Sequence, residues 1–79
     1  MDPEFWIGKR ITLKGTLHID GGGIRWEGQA GTIVAISAVE GFGDGAFYDI
    51  RFDDGVVCSS FWHGYLNFPS ALELLGETA

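Results

Sequence analysis

The chain reads as a small all-β domain of about five short strands with a short helical turn near its C-terminus. Three observations predict this. Thirteen of its 79 residues are glycine, more than twice the usual ~7%. Six Phe, three Trp and two Tyr stand beside them, and several segments alternate apolar with polar residues. Glycine supplies tight turns, aromatics fill pleated surfaces, and period-2 alternation marks half-buried strands. A hydrophobic share of 46% excludes a disordered chain. The length holds one domain, here 6–79, with one modest core.

The chain opens Met1-Asp2-Pro3-Glu4-Phe5. That pentapeptide can be encoded by ATG-GAT-CCC-GAA-TTC, which contains the cloning sites GGATCC and GAATTC. It is read as a vector-derived scar and set aside. Ile7–Lys14 follows as the first strand, with Ile11 and Leu13 alternating against Arg10, Thr12 and Lys14. Thr16–Gly23 ends in Gly21-Gly22-Gly23 and reads as a loop. A phosphate cradle would need a helix after the glycines, and none is expected. Within Ile24–Ser37, the β-branched run Thr32-Ile33-Val34-Ala35-Ile36 suits a central strand. Glu40–Gly45 is a loop carrying Phe42.

Ala46–Phe52 alternates cleanly, with Tyr48, Ile50 and Phe52 on one face and Phe47, Asp49 and Arg51 on the other. Asp53-Asp54-Gly55 is a hairpin turn, and Val56–Trp62 returns as its partner strand. Beyond Pro69, Ser70 caps one helical turn, and Leu72, Leu74 and Leu75 finish on a short closing strand. A single helix over Ser70–Gly76 is the alternative. The inward set is Ile11, Leu13, Ile33, Tyr48, Ile50 and Phe52.

Five Lys and Arg stand against eleven Asp and Glu, a net charge of −6. This balance argues against nucleic acid as a partner, because phosphate contacts need a basic face. Such a face could come only from Lys9, Arg10, Lys14 and Arg25. The single cysteine, Cys58, forms no intramolecular disulfide and reads as a buried structural residue in a cytoplasmic protein. No apolar run approaches the ~20 residues of a membrane helix, and no membrane partner is expected.

Catalytic groups are scarce. Cys58 and His63 lie five apart along one strand, too far for a nucleophile and its base unless the chain doubles back. His18, Asp20, Cys58 and His63 form no metal-ligand spacing. Turn chemistry accounts for Asp53 and Asp54. No cofactor is expected and the protein is read as non-enzymatic.

Aromatics are the surplus. Trp6, Trp26, Phe42, Phe47, Phe61, Trp62 and Tyr65 exceed what the inward positions require. They either fill the core, form a self-association or protein interface, or build a cation–π cage with nearby carboxylates. The candidate binding set is Trp26, Phe42, Asp44, Phe47, Asp49, Trp62 and Tyr65. The expected partner is another protein or a second copy of the chain.

Two resemblances follow from particular motifs. Gly28-Gln29-Ala30-Gly31-Thr32-Ile33 looks like the opening of a KOW-type segment. Tyr48-Asp49-Ile50-Arg51-Phe52-Asp53-Asp54-Gly55 is similar to the Tyr-x-Val-x-Phe-x-Asp-Gly hairpin of KOW and Tudor modules. Both imply an SH3-like barrel, and with it binding of nucleic acid or peptide. More narrowly, Trp26 with Ala30-Gly31-Thr32-Ile33-Val34, and Phe68-Pro69-Ser70-Ala71-Leu72-Glu73, resemble segments of the plasmid-borne type II dihydrofolate reductases. That family carries an SH3-like barrel, forms tetramers around a pore holding folate and NADPH, and travels on mobile genetic elements. Its pore motif, Val-Gln-Ile-Tyr before the Pro, is replaced here by Tyr65-Leu66-Asn67-Phe68. No reductase residue carries over.

Overall fold

A computed structural model describes residues 3–19, 23–39 and 45–78. Strands dominate them, with one short α-helix at the C-terminal end. In chain order the strands are β1 (Arg10–Leu13), β2 (Leu17–Ile19), β3 (Gly23–Arg25), β4 (Ala30–Val39), β5 (Ala46–Phe52), β6 (Val57–Trp62) and β7 (Leu66–Asn67), followed by helix α1 (Ala71–Thr78). Single 3-10 turns occupy Pro3–Trp6 and His63–Tyr65. The main sheet has the order β6-β5-β4-β1-β7, every pair antiparallel, and β2 with β3 forms a separate hairpin. The fold is all-β. Among the described residues no ladder joins the two sheets or closes either of them into a barrel.

The all-β reading and its central elements hold. β5 alternates as its sequence demands, burying Tyr48, Ile50 and Phe52. The hairpin turn forms at Asp53-Asp54-Gly55. Gly55 takes φ 91°, its N–H donates to the Phe52 carbonyl, and the Phe52 N–H donates to Val56. The six predicted inward residues are all buried, joined by Ala46, Phe61 and Leu66. Leu17, Ile19, Ile36, Cys58 and Phe68 pack around that core, so Cys58 is half-buried at its margin.

Three expectations need correction. The first strand is shorter than Ile7–Lys14, because a 3-10 turn and Gly8 at φ 89° precede it. The stretch expected to be a loop, Thr16–Gly23, contributes β2 and the start of β3; Leu17 and Ile19 alternate with His18 and pack on the core. No strand forms after Pro69. The chain enters α1, where the Ser70 hydroxyl accepts the Glu73 N–H at 3.2 Å, an N-cap that stops extended backbone from continuing. The strand that closes against β1 is instead β7, with Leu66 opposite Leu13. The loop expected at Glu40–Gly45 lies outside the described residues except Gly45.

Two arginines of the anticipated basic strip are tied to the hairpin turn. Arg10 of β1 makes a two-pronged ion pair with Asp53, at 2.5 and 2.7 Å. Arg25, buried at the end of β3, reaches Asp54 at 2.7 Å and lies over the Phe52 ring at 4.5 Å. Asp53 and Asp54 therefore do more than shape their turn. They hold β1 and the β2–β3 hairpin to the tip of β5–β6.

Candidate functional site

The outer face of β5 and β6 collects part of the surplus aromatic set. Phe47 on β5 stands opposite Trp62 on β6. The Trp62 ring meets Tyr65 edge-on at 5.6 Å and His63 at 4.8 Å. The 3-10 turn after β6 makes this possible by folding Tyr65 back toward Trp62. Gly64 inside that turn leaves room for the indole, which would have to shift to admit a Cβ there. Trp62 is 39% exposed and Tyr65 44%.

Asp49 shares the Phe47 face, and its carboxylate accepts the Ser60 N–H at 3.3 Å. Phe47, Asp49, Trp62 and Tyr65 are thus brought to one region. Trp26 is elsewhere, on the turn between β3 and β4, where its N–H donates to the Gln29 side chain. Phe42 and Asp44 lie outside the described residues. Phe61 and Trp6, counted as surplus, take structural places. Phe61 stacks edge-on with Phe52 at 5.7 Å inside the core, and Trp6 packs on Phe68 at 4.7 Å.

The pairing of β6 slips by one residue. Tyr48 faces Phe61, yet Ile50 faces Cys58. Ser59 and Ser60 share the place opposite Asp49, a β-bulge. Ser60 sits at φ 64°, the one non-glycine residue with positive φ among those described. The extra residue keeps Phe61 and Cys58 on the inner side and Trp62 and Val57 on the outer side, although an odd number of steps separates each pair.

Beside the bulge an open cleft of about 410 Å3 runs between β2 and β6, lined by Leu17, His18, Ile19, Ser59, Ser60, Phe61 and Tyr65. Among the described residues no carboxylate or guanidinium lines it. Of these residues only Tyr65 belongs to the anticipated binding set. The others were hidden because they come from a stretch expected to be a loop and from a serine pair that breaks strand alternation. One signal was legible: no Asp, Glu, Lys or Arg occurs from Gly55 to Leu72.

Cys58 lies near the start of β6, whereas His63 opens the 3-10 turn that follows its end. Among the described residues the buried His63 Nδ1 has no hydrogen-bond partner. Among the described residues no three His, Cys, Asp or Glu side chains converge as metal ligands, and no helix is long and apolar enough to cross a membrane. Compared with protein-family models, curated proteins and solved structures, the chain has no significant match.

Proposed function

We propose that this protein is a non-enzymatic binding or assembly module that associates with copies of itself, and that its fold is an SH3-like barrel with an incomplete seam. Three features support the barrel reading. A long first connection is folded as the β2–β3 hairpin, β4–β5–β6 forms a meander, and after a 3-10 turn β7 returns to β1. The seam is the cleft between β2 and β6.

The observation that carries the functional reading is the pair of exposed rings Trp62 and Tyr65 at the sheet margin, beside the partly buried Phe47. Large aromatics left in water beside an uncharged cleft mark an interaction surface. Nucleic-acid binding draws less support, because Arg10 and Arg25 already engage Asp53 and Asp54. A reductase-type site at an oligomer centre lacks the residues that such a pore requires. Light scattering on the full chain tests the reading: self-association should give a mass above 8.6 kDa that falls in Trp62→Ala. A monomer at every concentration overturns it.

A further inference from the structure

A hairpin of two short strands is marginal by itself in water, so β2 and β3 depend on what ties them to the rest of the chain. Their base is fixed. The Gly28 N–H donates to the Leu13 carbonyl, the Leu13 N–H to Gln29 and the Lys14 N–H to Tyr65. Beyond that base, among the described residues, no ladder reaches the main sheet. β2 and β3 pair with each other, and the Glu27 N–H turns back to the Thr16 hydroxyl. Leu17 and Ile19 are only partly buried where they pack on the core.

The deepest side chain of the hairpin is a charged one. Arg25 is 7% exposed, while the other described residues of β2 and β3 are half-buried or exposed. Apolar residues ordinarily take such a place. The guanidinium passes over Phe52 and ends on the half-exposed Asp54. Cys58 faces Ile50, one diagonal step from Phe52. Arg25 stands above its ordinary pKa, first through its hydrogen bond to Asp54 and in smaller part through the Cys58 thiol.

The closed position is incompletely satisfied. Among the described residues the buried Nε of Arg25 has no hydrogen-bond partner. A buried donor left unmade costs free energy, and opening returns it to water. A buried charge that loses its partner costs more still, so closure depends on the Asp54 carboxylate. Glycines flank the hairpin on both sides. Gly15 precedes β2 with open space around it, and Gly28 follows β3 at φ 83°. Such positions absorb a hinge rotation. We propose that the β2–β3 hairpin is a strap across the margin of the core, latched by Arg25 on Asp54, whose release opens the cleft between β2 and β6 and uncovers Cys58. The device operates within one copy of the chain.

Hydrogen exchange read by mass spectrometry on the full chain, with iodoacetamide labelling of Cys58, tests the latch at one protein concentration. In the wild type, β2–β3 amides should exchange at least tenfold faster than those of β4–β5 and with a weaker dependence on urea, as a local opening does. Exchange of both regions at one rate with one urea dependence overturns the strap. Asp54→Asn keeps the oxygen that accepts the Val56 N–H and loses the charge; Arg25→Gln removes the charge from the other side. Each should speed β2–β3 exchange and Cys58 labelling at least tenfold while the weak urea dependence remains. Unchanged rates in a folded variant overturn the latch, and faster exchange without faster labelling overturns the uncovering of Cys58. Should neither variant fold, sodium chloride added to the wild type should speed both readouts by screening Asp54, and insensitivity to salt then overturns the latch.

Discussion

Asp53 and Asp54 are adjacent in one turn, yet different partners hold them. Hydrogen bonding from Arg10 keeps the Asp53 carboxyl below its usual range. Asp54 is lowered first by the Val56 N–H and then by Arg25. A carboxylate with a lowered folded-state pKa contributes stability that is fully present above its unfolded value, about pH 3.9. That stability is lost as pH falls through the lowered value. Acid unfolding should therefore steepen below about pH 4, and Asp53→Asn/Asp54→Asn should flatten it while lowering Tm at neutral pH. Thermal melts across pH measure both effects. Because both carboxylates are about half exposed, added salt should shrink the difference. Ser60 offers a second residue-scale test. Its left-handed backbone costs about 1 kcal/mol in an L-residue, so Ser60→Gly should hold or raise stability in urea melts. Gly31 is the reverse case. A Cβ there would lie 2.8 Å from the Ile50 side chain and 2.9 Å from the Arg51 carbonyl, so Gly31→Ala should cost about 1–3 kcal/mol.

Among the elements, β4 and α1 show how far local pattern reaches. β4 runs ten residues against the seven of β5, with register shifts between Ile33 and Ala35 and between Ile36 and Ala38. Its sequence shows a β-branched run but not the bulges, because register depends on the partner strand. α1 begins where Pro69 and Ser70 suggest, but two readings stayed open because a helix this short is marginal by itself. Leu72 and Leu75 are 81% and 65% exposed, so its leucines do not build the core. Ser70→Ala should fray α1, costing it about 1 kcal/mol, with little change in the melting of the sheet. Helix and strand signals in circular dichroism separate the two.

For the whole molecule, one small core carries the stability. Ile50 is fully buried at its centre, and Ile50→Ala should cost about 2–5 kcal/mol. Against the ~5–15 kcal/mol of a typical domain, that loss should leave a substantial unfolded fraction, visible in a urea titration. If copies of the chain associate as proposed, Tm should also rise with protein concentration. The six inward residues were legible because alternation along β1, β4 and β5 reports which face is dry. The aromatic group was half legible. Excess aromatics could be counted, but which of them the core would take could not.

By itself the sequence determined the all-β character, the Asp53-Asp54-Gly55 hairpin and the main core, because these rest on periodicity and turn chemistry within a few residues. Tertiary structure alone decided the rest. It drew Phe61 inward and left Trp62 and Tyr65 at the surface, set Arg10 and Arg25 on the two turn carboxylates, and placed a bulge in the middle of β6. Each of these depends on which strand lies alongside, and strand pairing joins residues tens of positions apart that no local pattern connects.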